Sequence, residues 1–219
     1  MEDSNVHNIS ESIKHEIIIL NINWNMYKDF FEDENRRVLL SEISPIVFSI
    51  FQRLLLNEVG LALCRLTDPA QQGKNKNNTM YQLLSMLNHD TQSLEELKLL
   101  IEPVRSARNK FFAHSDFDEH IKNYLNNTSN GVTKLSLNFP LSVVVTDQAI
   151  KKVGSIFNQV KNECYQFSSI ETSYGPDGGV KRMIDVMKSA LFYEKLKKEG
   201  IIDPEEYYES WQKFEHKNA

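Results

Sequence analysis

Apolar residues recur every three or four positions along most of this chain, and few residues interrupt them. Only 8 glycines and 6 prolines occur in 219 residues. Such a pattern fits long helices and argues against a many-turned β fold. Ser10 is a suitable N-cap for a first helix, with Ile13, Ile17, Leu20 and Trp24 on one stripe and Phe30 and Phe31 closing it. Pro45 suits the first turn of a second helix. That helix carries Phe48, Phe51, Leu55, Val59 and Ala62, and Leu54, Leu61 and Leu63 widen its stripe, which makes it central. Asp68-Pro69 ends it, and a polar loop follows from Gln71 to Asn78.

Thr79 caps a short helix bearing Leu83, Leu84 and Leu87, and Ser93 with Glu96 forms a capping box for the next. Pro103 restarts or kinks the chain there. Residues 116–130 read as a short helix and an Asn-rich surface loop. Leu135–Val145 is the one extended candidate, weakened by Pro140, which cannot donate to a strand ladder. Thr146 caps a long helix with Ile150, Val153, Phe157, Val160, Cys164 and Phe167. After a Gly-Pro and Gly-Gly loop, a helix spans about Val180 to Lys198, and Asp203-Pro204 starts a last one with Tyr207 and Trp211. The fold class is all-α. An antiparallel helical bundle occupies 10–199, between a disordered N-terminus (1–9) and a C-terminal helical extension (200–219).

The net charge of −5 argues against broad nucleic-acid binding, which phosphate neutralisation drives, but leaves room for a local basic cleft. Two cysteines, Cys64 and Cys164, lie in apolar helical patterns without metal-ligand spacing and read as packing residues in a reducing compartment. The N-terminus lacks the basic start and apolar run of a secretory signal, and the apolar runs are too short to span a bilayer. The expected location is cytoplasmic, with no membrane partner.

Chemistry concentrates between Pro103 and Asp118. On a helix, Val104, Ala107, Phe111 and Phe112 can face the core while Arg105, Arg108 and Asn109 fall on adjoining faces. His114 lies six residues beyond Arg108, about 9 Å of rise and about 240° of rotation away. An ideal helix does not stack the two side chains. Arg108 reaches sideways, the helix distorts, or a second copy completes the site. Arginine grips phosphate with its planar fork and histidine moves protons near neutral pH. RNA carries its own nucleophile in the 2′-hydroxyl, so no metal or cofactor is called for, and His7, His15, His89, His120 and His216 form no ligand cluster in the sequence. The same residues also suit a solvated helix face with a hydrogen-bonded histidine.

Arg108-Asn109-Lys110-Phe111-Phe112-Ala113-His114-Ser115-Asp116 resembles the Arg-(four to six residues)-His signature of HEPN domains, most closely the abortive-infection AbiU-like branch. Leu61–Pro69 (Leu-Ala-Leu-Cys-Arg-Leu-Thr-Asp-Pro) and the Tyr174–Gly179 turn resemble further phrases of that branch, and the resemblance covers roughly residues 10–195. It implies a HEPN-like bundle that dimerises around a composite site. It also implies metal-independent endoribonuclease activity in toxin or phage-defence systems, leaving 2′,3′-cyclic phosphate ends. Carried over, Arg108 stabilises the phosphorane, His114 is the general acid or base, and Asn109 orients the site. Some relatives have a tyrosine, modified by the antitoxin, two residues after the histidine; here it is Asp116.

Candidate substrate-binding residues are Arg105, Lys110, Arg65, Glu58, Asp68 and Asp116. Glu58 and Arg65 share a face, and Arg65 and Asp68 are three apart, so an intrahelical ion pair and a capping Asp68 explain them equally well. The partners implied are RNA, a second copy of the chain and an antitoxin protein. A non-catalytic nucleotide- or RNA-binding module and a helical interaction protein are the alternatives.

Overall fold

Thirty residues without glycine or proline form α1 (Glu2–Phe31), whose Ile9, Ile13, Ile17, Leu20 and Trp24 line one buried face. The computed structural model describes residues 2–72, 74–108, 140–164, 179–201 and 203. The helix begins at Glu2 and not near Ser10. Ser10 is itself buried, and its hydroxyl donates to the His7 carbonyl at 2.9 Å. A serine can make this backward bond inside a helix as readily as it caps one.

A short helix, α2 (Glu34–Ile43), is capped by Asp33, whose carboxylate accepts from the Arg36 amide at 2.9 Å. Its one fully buried residue is Leu40, so no apolar stripe announces it in the sequence. Pro45 does open the central helix, α3 (Pro45–Thr67), which meets α1, α2 and three later helices. Phe48, Leu55, Val59, Ala62 and Leu63 are buried as their spacing predicts. Leu54, expected to widen the buried stripe, is instead 55% exposed. By length and composition alone α3 is long and apolar enough to cross a membrane, as a core helix can be.

After Asp68, a two-residue antiparallel ladder joins β1 (Gln71–Gln72) to β2 (Asn75–Lys76), in register Gln71↔Lys76. This is the strand pairing among the described residues, and it lies inside the predicted polar loop. Thr79 caps α4 (Met80–Met86), accepting from the Gln82 amide at 3.4 Å. Asn88, at φ 57°, turns the chain afterwards in a conformation asparagine tolerates. The next helix, α5 (Gln92–Leu100), has Thr91 at its N-cap, so Ser93 sits within the first turn and the predicted capping box is not formed. Pro103 lies in the first turn of α6 (Glu102–Ala107).

The long helix α7 (Val143–Cys164) starts before Thr146. Ser142 Oγ accepts from the Val145 amide at 3.3 Å, and Thr146 donates its hydroxyl back to the Ser142 carbonyl at 2.9 Å. Residues 143–145 are therefore helical, against the extended reading. The last described helix is α8 (Val180–Lys198), as predicted.

Contacts between helices fix the antiparallel arrangement. The ring of Phe30 near the end of α1 lies 6.4 Å from that of Phe48 near the start of α3, tilted by 38°, while Glu16 meets Arg65 near its end. Trp24 donates its indole N–H to Asp147 at the start of α7, and Lys28 joins the same carboxylate at 3.2 Å. Glu96 of α5 pairs with Lys152, and His89, before α5, faces Glu163 at 2.7 Å near the end of α7. The main core joins α1, α3, α4, α5 and α7. A second cluster, with Phe30, Phe31, Leu40, Phe48, Leu55, Val180 and Ile184, ties α2 and the start of α8 to them. Cys64 is buried, Cys164 half-buried, and both are free thiols. The expectations for 116–130, for the loop before Gly179 and for the helix with Tyr207 and Trp211 lie outside the described residues.

Candidate functional site

The end of α3 and the short helix α6 meet in a network of four side chains. Thr67, fully buried, closes α3 and donates its hydroxyl to the Leu63 carbonyl at 2.7 Å. Asp68 follows as the C-cap, its backbone extended ahead of Pro69, as a residue before proline prefers. On the other side, buried Ile101 and Val104 root α6 in the core, leaving Arg105 and Arg108, three residues apart, on one face.

Arg105 reaches across both residues of the α3 terminus. Its Nη1 donates to the Thr67 hydroxyl at 2.8 Å and to the Thr67 carbonyl at 3.3 Å, and its Nη2 donates to Asp68 Oδ1 at 2.8 Å. A cation is favoured here, where the last carbonyls of α3 leave a partial negative charge. Arg108 Nη1 donates to Asp68 Oδ2 at 2.8 Å and to Oδ1 at 3.1 Å. One carboxylate thus holds two guanidinium groups, with side chains 14% (Arg105), 27% (Arg108) and 16% (Asp68) exposed. Two guanidinium groups against one carboxylate give this network a net positive charge on an acidic chain.

Glu58 and Arg65 belong to a separate cluster. Arg65 pairs with Glu58 on its own helix, as their spacing predicts, and with Glu16 of α1 at 2.6 Å. Burial works against the Arg65 charge, but the bonds from Glu58 and Glu16 outweigh it and hold the group above its ordinary value. Asp68 stands at the C-cap, as expected, and its carboxylate takes up the two arginines that follow Pro103 rather than Arg65. Cys64 lies between the clusters. Burial pushes its thiol up, while Arg108 and Arg105 oppose that, which leaves a protonated, unreactive packing residue at neutral pH. Tyr81 donates to Glu95 at 2.6 Å, close enough to Arg105 to feel its charge. Burial, then Glu95, raise its phenol well above the usual range.

The geometry therefore brings together Arg105, Arg108 and Asp68 and sets Glu58 and Arg65 apart. Asn109, Lys110, His114 and Asp116 lie outside the described residues. Sequence reading missed Thr67 and Glu16. Thr67 stands within the Leu61–Pro69 phrase, next to Asp68, whereas no local signal ties Glu16 to Arg65 across 49 residues.

A HEPN-type family model, described as AbiU2, matches residues 3–136, more than half of the 219-residue chain. The match includes both the Leu61–Pro69 phrase and the Arg108–Asp116 segment, and it stops short of α7. Comparison with curated proteins and with solved structures gave no match.

Proposed function

Because the chain belongs to the AbiU2 family of HEPN-type abortive-infection proteins, we propose that it is a metal-independent endoribonuclease acting as a toxin or in phage defence. The observation that carries this reading is the Arg105–Asp68–Arg108 network, which gathers cationic groups at the point where the Arg-(five residues)-His segment begins. Arg108 stabilises the negative charge that develops on the phosphorane oxygens as the 2′-hydroxyl attacks. His114 moves the proton, to or from the attacking or leaving oxygen. Asn109 orients the reacting groups. Arg105 and Lys110 add positive charge for the RNA backbone, and Asp116 lies at the edge of the same segment.

The site is completed by a second copy of the chain. Support comes from the separation of Arg108 and His114, whose side chains an ideal helix would place on different faces. RNA is the substrate, and an antitoxin-type protein is a partner of the toxin reading. The test is cleavage of RNA by wild type and by His114→Ala in the presence of a chelator. Scission by wild type alone supports the reading. Bound but intact RNA with both proteins transfers the site to a non-catalytic binding module.

A further inference from the structure

Arg108 meets Asp68 through one terminal nitrogen, Nη1, at 2.8 and 3.1 Å. A guanidinium carries five N–H donors in a rigid fork. The contact with Asp68 leaves out the Nε–Nη2 edge, which presents two parallel N–H groups to a phosphate. Asp68 is itself held in place. Arg105 grips its Oδ1 at 2.8 Å and is braced in turn by the Thr67 hydroxyl and carbonyl, on a residue with no exposed surface. The orientation of Arg108 is thus referred back to the end of the central helix.

We infer that Asp68 is a positioning residue, which turns the Nε–Nη2 edge of Arg108 toward the RNA phosphate. The inference rests on the ribonuclease reading for its substrate. It makes a prediction opposite in sign to that of charge alone. Removing the carboxylate adds one positive charge to the corner, and phosphate-driven binding then tightens. Loss of positioning instead slows turnover, because a misplaced transition-state group costs rate and not ground-state affinity.

The experiment compares wild type, Asp68→Asn and Asp68→Glu as full chains. It reads kcat and KM on RNA in chelator, and binding of a 2′-O-methyl RNA by fluorescence anisotropy. Asp68→Asn keeps the shape but offers one acceptor oxygen in place of two. Its kcat falls by about tenfold to a hundredfold while KM moves by less than about threefold, and Asp68→Glu restores part of the rate. Wild-type turnover by Asp68→Asn, with equal or tighter RNA binding, overturns the inference. If no protein cleaves but wild type binds the 2′-O-methyl RNA, the ribonuclease reading alone fails. In such a binding module Arg108 holds the phosphate in the ground state, so positioning reads out in affinity: the inference then stands if Asp68→Asn binds more weakly, against the charge effect, and falls if it does not. Absence of both binding and cleavage in wild type removes both. Should Asp68→Asn unfold at the assay temperature, Arg105→Lys, which loses the fork that braces Asp68, takes its place. The same loss confined to kcat supports the inference, and unchanged turnover overturns it.

Discussion

Replacing Arg105 with alanine should destabilise the chain more than replacing Arg108, although both arginines share Asp68. Arg105 donates to three acceptors: the Thr67 hydroxyl, the Thr67 carbonyl and Asp68 Oδ1. Its loss strands a carbonyl at the end of α3 and leaves a largely buried carboxylate with one partner. Hydrogen bonds involving a charged group contribute about 1.5–3 kcal/mol each and are not additive, so about 3 kcal/mol is the expected cost for Arg105→Ala. Arg108 is more exposed, and Asp68 keeps Arg105 when it is removed, so Arg108→Ala should cost about 1 kcal/mol. Urea denaturation followed by circular dichroism measures both. For a chain of this size the Arg105 variant should also melt about 6–12 °C lower. A cost for Arg105→Ala below about 1 kcal/mol, or one smaller than that of Arg108→Ala, would refute the view that Arg105 is the brace and Arg108 the presented group.

Phe157, on α7 beyond the family match, is 1% exposed in the main core, so Phe157→Ala should cost about 3–5 kcal/mol in urea unfolding. A cost under about 1 kcal/mol would mean that α7 is not part of the cooperative core. Burial pushes the Asp147 carboxyl up, but the bonds from Trp24 and Lys28 pull harder and hold it below the usual carboxylate range. A depressed folded value gives stabilisation that is present above the unfolded value, about pH 3.9, and is lost as pH falls through the folded one. Thermal melts from neutral to acidic pH should show Asp147→Asn less stable than wild type at neutral pH and less sensitive to acid. Parallel acid profiles would contradict that linkage.

Much of the fold is legible in apolar spacing because a helix that buries one face must repeat every three or four residues. The buried faces of α1, α3 and α7 follow from it directly, as does the Thr79 cap. Boundaries are less legible where two residues compete for one role. Ser10 and Thr146 could each cap a helix, but each instead bonds back to a carbonyl within or just before its helix. Burying little but Leu40, α2 carries its signal in the Asp33 cap alone. At the site, Arg105, Arg108 and Asp68 stand out as residues, but their mutual bonding spans 37 and 40 positions and depends on how α6 docks against α3. Arg65 and Asp68, three apart, can share a helix face without pairing. Tertiary placement gave each a partner on another helix.

Attack by the RNA's own 2′-hydroxyl at a site built on Arg108 and His114, as proposed, leaves a chemical signature in the products. The most direct test incubates the purified chain, in chelator, with an RNA and with the same sequence carrying 2′-O-methyl groups throughout, and identifies the ends of any product. Cleavage of the unmodified strand alone, leaving 2′,3′-cyclic phosphate and 5′-hydroxyl ends, is the expected result. Cleavage of both strands, or products with 3′-hydroxyl ends, would contradict it.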